Sequence, residues 1–174
     1  MQGRVERFTA VLGTSIGIAA LALQLDLMLG YVQLRGGTGL EALWRFLAFF
    51  TNDTNILAVL VMTHAALRPG ARTGLAAPRV EAAATTATVM AGILNSVLLG
   101  GRFHPQGLHR LADIGLHEVS PLIVTLFWLA RPHGGLRWRD AGFATGWPLL
   151  YCVYAMARGA ADGWYPYYFL DPST

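Results

Sequence analysis

Long apolar stretches of this sequence contain threonine, asparagine, aspartate and histidine residues. Polar groups there are costly and therefore candidates for function. Thr51 and His117 suggest the clearest chemistry, since a hydroxyl becomes an effective nucleophile when an imidazole accepts its proton. Asp113 precedes His117 by four residues, so on a helix it shares the face of His117 and can orient the ring. The three residues have the types that nucleophilic catalysis requires.

Other polar residues are expected at a similar depth, and we assign them supporting roles. They are Asn52, Thr54, Asn55, Asp26 and Asn95. Thr51, Thr54 and Asn55 are three and four residues apart, so they share one helical face. The side-chain amides of Asn52 or Asn55 are suited to donate to a developing oxyanion. The competing interpretation of each residue is a hydrogen bond that only joins helices.

The composition indicates that these residues lie in a membrane protein. The chain has 174 residues, of which 54% are hydrophobic and 13% are charged, against about 25% charged in ordinary soluble domains. A small soluble domain of this composition would expose large apolar patches, which a bilayer accommodates. We therefore predict an all-α fold, a polytopic transmembrane helical bundle that forms a single domain over residues 1–174.

Five apolar segments are close to the roughly 20 residues that a membrane-spanning helix needs. They cover residues 8–34, 43–67, 80–100, 111–130 and 141–161, with joints rich in glycine and proline between them. Gly13 and Gly17, and likewise Gly142 and Gly146, are spaced for close helix packing. The aromatic tail, residues 163–174, is predicted as an interfacial belt or as a lid that Asp162 or Asp171 helps to line.

The order of the segments predicts where the polar residues meet. Odd segments run towards one side of the membrane and even segments return, so Thr51 and His117 each lie roughly 10 Å below the same boundary. Eight arginines flank the inner ends and five the outer ends when the N-terminus is inside. This bias predicts a multi-pass protein of the cell membrane with a cytoplasmic N-terminus.

Charge and cysteine content exclude other classes. All basic residues are arginines at segment ends, and they form no basic stripe of the kind that binds nucleic acid. The single cysteine, Cys152, excludes a disulfide or a cysteine-based zinc site within one chain, and we expect it to be a small buried hydrophobe. Glu81 is expected to be a solvated charge that flanks a span.

Three motifs together resemble one family, the bacterial Pr-six-Pr membrane proteins. Residues 44–57 (WRFLAFFTNDTNIL) resemble its Phe-Phe-Thr and Asn-Leu signature. Residues 116–122 (LHEVSPL) resemble its Leu-His motif followed by proline, and residues 164–171 (WYPYYFLD) resemble its aromatic ending. The family usually has six spans.

That group is similar to the animal androgen-induced and androgen-dependent membrane proteins, which are multi-pass threonine hydrolases. Those enzymes cleave fatty acid esters of hydroxy fatty acids. The resemblance implies that Thr51 is the nucleophile and His117 the base. It also implies membrane lipids and a lipid-like ester as partners and no cofactor.

Two alternatives remain open from the residues alone. His109, Asp113 and His117 lie on one helical stripe with Glu118 beside it, and such ligands suit zinc or iron. The other alternative is a non-enzymatic membrane protein that binds or carries a small molecule through the same buried polar residues.

Overall fold

A computed structural model describes residues 2–100, 104–132 and 135–173, and over these residues the chain is helical with no strand. The helices are α1 (Gln2–Gln33), α2 (Gly39–Phe46), α3 (Phe50–Leu67), α4 (Pro78–Leu94), α5 (Gly107–Ile114), α6 (Ser120–Ala130) and α7 (Arg139–Asp162). There are also two π-helical turns among the described residues. Asn95–Leu99 directly follows α4, and Gly115–Val119 joins α5 to α6. Short 3-10 turns lie at Gly74–Ala76 and Tyr168–Leu170.

The helices form a bundle of the predicted membrane type. Among the described residues, three helices are long and apolar enough to cross a membrane, Gly3–Gln33, Pro78–Leu99 and Gly107–Ala130. A fourth span results if α2 and α3, which meet at an 82° bend, are counted together. Five spans are therefore not confirmed, because α7 is long enough but carries more polar and aromatic residues.

The outward faces of the bundle are apolar. Large exposed side chains on α4, α6 and α7 include Ile93, Leu122, Leu126, Leu129, Leu149, Leu150 and Val153. So many exposed aliphatic residues would be a liability in water. In a bilayer they meet acyl chains, so helix packing has to depend on small residues and on buried polar contacts.

Small residues allow α1 to pack closely on its neighbours. A Cβ on Gly17 would lie 2.5 Å from Val59 of α3, and one on Gly13 would overlap Met62. The predicted close packing at this pair is confirmed. The equivalent prediction for Gly142 and Gly146 is wrong, because no atom lies within 4 Å of a Cβ at either position.

The second predicted segment is not one continuous helix. It breaks at residues 47–49, and the carbonyls around the break need donors because lipid supplies none. Tyr151 and Tyr154 of α7 donate their hydroxyls to Ala48 O (2.7 Å) and Leu47 O (3.0 Å). The Asn52 amide donates to Phe46 O at 2.7 Å. The polar residues of α7 thus support the break.

A buried ion cluster closes the opposite end of the bundle. Arg131, after α6, is 2% exposed, as is Glu81 of α4, and Arg131 Nε donates to Glu81 Oε1 at 2.9 Å. Arg131 also pairs with Glu6 of α1 and donates to Ala71 O at 2.6 Å. The expectation that Glu81 is solvated is wrong, because its charge is paired inside the protein.

We predict that Gly92→Ala destabilises the bundle. A Cβ there would lie 2.6 Å from the backbone oxygen of His117 and 3.3 Å from Pro121, and such overpacking costs about 1–3 kcal/mol. Unfolding in a denaturing detergent titration measures the change.

Gly142→Ala is the matched control, because its Cβ would meet open space. Alanine is favoured over glycine within a helix by about 0.5–1 kcal/mol, so this variant should be as stable as the wild type or more so. Equal stability of the two variants would contradict the close approach of α4 to the π turn at His117.

Candidate active site

Thr51 lies in the first turn of α3, directly after the helix break. The backbone N–H groups of Asn52 and Asp53 donate to Phe49 O at 3.0 and 3.2 Å. These two bonds mark the beginning of α3. The amides at the very start of a helix have no partner within the helix and carry partial positive charge. The break therefore creates a helix N-terminus inside the bundle, with the Thr51 hydroxyl beside it.

His117 lies in the π-helical turn Gly115–Val119, where the Ser120 N–H bonds to Gly115 O. Such turns insert an extra residue into a helix and occur frequently at functional sites. Pro121 follows and has no N–H to continue a regular pattern. Gly92 leaves room for the backbone of His117 against α4, so several local features fix the position of the imidazole.

The two side chains meet across the bundle. Thr51 Oγ1 lies 3.1 Å from His117 Nε2. On the other side of the ring, His117 Nδ1 lies 3.0 Å from Asp113 Oδ1 and 3.2 Å from Asp113 O. Two acceptors at Nδ1 favour the tautomer with its proton there, which leaves Nε2 free to accept from the hydroxyl.

Further contacts hold Asp113. The Asn95 amide donates to Asp113 Oδ1 at 3.2 Å, and Arg110 donates to Asp113 Oδ2 at 2.8 Å. Arg110 also pairs with Glu118 at 3.2 Å. Asn95 thus orients Asp113, which in turn orients the His117 ring. Arg110 was not among the predicted site residues, although its place three residues before Asp113 was visible in the sequence.

The other predicted supporting residues on α3 serve the fold. Asn55 donates to Thr51 O (2.8 Å) and to Leu116 O (3.3 Å), and it thereby joins α3 to the π turn. Asn52 supports the helix break, and Thr54 accepts from Trp147 Nε1 at 3.2 Å. Asn55 thus donates to two backbone carbonyls and Asn52 to one, and neither residue is among those that line the cavity beside Thr51. The oxyanion role expected of these amides stays a prediction.

Two predicted residues lie away from the site. Asp26 is on an exposed face of α1, and His109 is exposed on α5. Sequence spacing gave the depth of Asp26 but not the direction of its side chain. Within the described ranges, no group of three or more His, Cys, Asp or Glu side chains is arranged to hold a metal ion, so the predicted stripe of ligands does not converge.

Thr51 and His117 line a cavity of about 80 Å³. Its other walls are mainly apolar and come from α4, from α7 and from the tail. Cys152 lies on the wall and is exposed at the protein surface. The expectation that it is buried is wrong, because this part of α7 faces outward. The cavity therefore lies next to the outward face of α7.

The aromatic tail folds back over this cavity. Tyr167, Phe169 and Leu170 form part of its lining, while Trp164 contacts the Phe49 ring edge-on at 5.9 Å. This is the lid arrangement rather than a simple interfacial belt.

The two acids that were expected to help line the lid point elsewhere. Asp162 accepts from Trp44 Nε1 at 2.7 Å, and Asp171 accepts from the Ser173 hydroxyl at 2.7 Å. Neither residue is among those that line the cavity.

We predict that His117 carries its proton on Nδ1 in wild-type protein. ¹⁵N-histidine NMR in detergent micelles reports the tautomer, and His117→Gln identifies the signal. Asp113→Leu removes the carboxylate and should increase the population protonated at Nε2.

The signals of the other histidines should not move in Asp113→Leu, which provides the internal control. A wild-type ring protonated at Nε2 would contradict the arrangement, because that ring could not accept the Thr51 proton.

No family model, no curated protein and no solved structure matches this chain. The site itself consists of a threonine hydroxyl, an imidazole and a carboxylate in sequence, and the first two of these groups line an apolar cavity.

Proposed function

We propose that this protein is an intramembrane hydrolase that cleaves a lipid ester through an acyl-Thr51 intermediate. One observation carries the proposal. Thr51 Oγ1, the His117 ring and the Asp113 carboxylate follow one another at 3.1 and 3.0 Å, within the reach that proton transfer from nucleophile to base requires.

The reaction follows from these positions in two steps. His117 Nε2 accepts the Thr51 proton as Oγ1 attacks the ester carbonyl, and the protonated ring then gives that proton to the departing alcohol. Water next attacks the acyl-threonine and gives a proton to His117. Collapse releases the fatty acid and returns the proton to Thr51. Asp113 stabilises the transient imidazolium without taking its proton.

The surroundings of the pair favour a lipid substrate. The walls of the cavity are mainly apolar, and one of them includes Cys152, which is exposed on the outward face of α7. The volume of about 80 Å³ accommodates an ester group and a few neighbouring carbons but not a whole acyl chain. We infer that the remaining chains lie between helices or in the leaflet. The family resemblance suggests a fatty acid ester of a hydroxy fatty acid or a related ester.

The proposal includes a multi-pass arrangement in the cell membrane with a cytoplasmic N-terminus and α7 as a fifth crossing. Near its start, α7 packs against the beginning of α4, with Arg79 5.3 Å from the Phe143 ring. Near its end it contacts Leu47 beside the start of α3. Its 24 residues extend for about 36 Å, enough to cross the hydrocarbon core.

We predict that purified protein in lipid nanodiscs hydrolyses such esters, and that Thr51→Ala and His117→Ala each reduce turnover by about three orders of magnitude or more. Release of fatty acid, followed by mass spectrometry, measures the rate. An acyl adduct on the peptide that contains Thr51 should accumulate during turnover.

Thr63→Ala is the matched control, since Thr63 lies on the same helix and its hydroxyl contacts Thr14 at 3.3 Å. It should hydrolyse like wild type, and all variants should keep their helical circular dichroism. Hydrolysis by Thr51→Ala at the wild-type rate would remove the proposal. Tight lipid binding without turnover would support the carrier alternative instead.

A further inference from the structure

The tail places one tyrosine ring inside the site. Tyr167 is edge-on to Phe49 at 5.7 Å, contacts Tyr151 at 6.5 Å and stacks on Phe169 at 5.1 Å. These contacts clamp the ring between the start of α3 and the middle of α7. Tyr167 also lines the cavity that contains Thr51 and His117, so its hydroxyl is positioned by aromatic packing on three sides.

The Tyr167 ring lies beside Phe49, directly before α3, and lines the same cavity as Thr51. Burial has the largest effect on the phenol and raises its pKa, while the Thr51 side chain and the backbone of Phe50 and Thr51 lower it, as donors near the phenol oxygen do. A raised pKa keeps the phenol protonated and able to donate at neutral pH. The start of α3 is also where the partial positive charge of the helix supports a developing anion.

Other donors around the cavity are already engaged. The Asn95 amide donates to Asp113 and the Tyr151 hydroxyl donates to Ala48 O, while Thr51 and His117 exchange the reacting proton. Cys152 is only a weak donor. Among the cavity-lining residues that the structure describes, Tyr167 is thus the strong side-chain donor left for a substrate oxygen.

We propose that Tyr167 is a catalytic residue that donates its phenol hydrogen bond to the ester carbonyl oxygen. This inference rests on the proposed hydrolase function. As Thr51 Oγ1 forms its bond to the carbonyl carbon, the carbonyl π electrons move to oxygen, and the phenol stabilises that oxyanion. The phenol keeps its proton throughout, and the electrons return when the alcohol leaves.

The test compares Tyr167→Phe with wild type in the nanodisc assay. Loss of one oxyanion donor typically lowers kcat by about 10²–10³, so we expect that decrease with a nearly unchanged KM. Tyr168→Phe is the matched control, because the ring of Tyr168 is in the same tail but does not line the cavity. It should retain wild-type turnover.

A second measurement separates this role from simple packing. A long-chain alkyl trifluoromethyl ketone adds to a nucleophilic hydroxyl and forms a tetrahedral oxyanion that resembles the transition state. Its affinity should fall in Tyr167→Phe by about the same factor as kcat/KM, whereas the affinity for the product fatty acid should not change.

The outcomes distinguish the inference from the function on which it rests. If wild-type protein hydrolyses no ester, both the proposed hydrolase function and the role of Tyr167 are overturned. If turnover requires Thr51 but Tyr167→Phe is as fast as wild type, or faster, the inference alone is overturned, and a faster variant would show that the phenol blocks the carbonyl position.

Incorporation of a trifluorinated tyrosine at position 167 tests the inference should Tyr167→Phe fold poorly. It lowers the phenol pKa while retaining the ring shape, so loss of activity at high pH should begin at lower pH than in wild type. An unmoved profile would overturn the role of the phenol.

Discussion

An interrupted helix in an apolar bundle must have its freed carbonyls hydrogen-bonded from within the protein, and the architecture depends on this constraint. The break between α2 and α3 is possible because α7 supplies the hydroxyls of Tyr151 and Tyr154 to Ala48 and Leu47. The same break places Thr51 at a new helix start. The hydroxyls that support the broken backbone therefore also fix the position of the nucleophile.

On the other side of the site, the π turn between α5 and α6 positions His117. Gly92 allows α4 to approach the backbone of His117, while Asn55 ties Leu116 to α3. The imidazole thus reaches Thr51 without a flexible loop. Sites built on rigid elements hold their geometry better than sites on loops, and here both partners are on helices whose irregularities are hydrogen-bonded or closely packed.

Sequence reasoning located the parts of this site that depend on spacing along a helix. Counting residues from the ends of segments placed Thr51 and His117 at one depth, and the interval of four residues placed Asp113 beside the ring. The family assignment and the chemistry remain predictions, because spacing shows which groups can meet and not what they do.

Features that depend on long-range contacts were not accessible in this way. The interval 43–67 looked like one helix because its apolar character is continuous, and only the hydroxyls from α7 make the break stable. Asn52 and Asn55 appeared to be free donors because their carbonyl partners arise from that break and from the π turn. Glu81 looked solvated near a segment end, since its partner Arg131 is fifty residues away.

The ion cluster around Arg131 and the aromatic tail are held by different kinds of contact. Arg131 joins α1, α4 and the loop before α4 through buried charged contacts, whereas the tail covers the cavity mainly by ring packing. Opening free energies vary widely within one fold. We therefore expect slow opening motions to concentrate in the aromatic tail. The cavity would then be uncovered while the helices joined by Arg131 stay together.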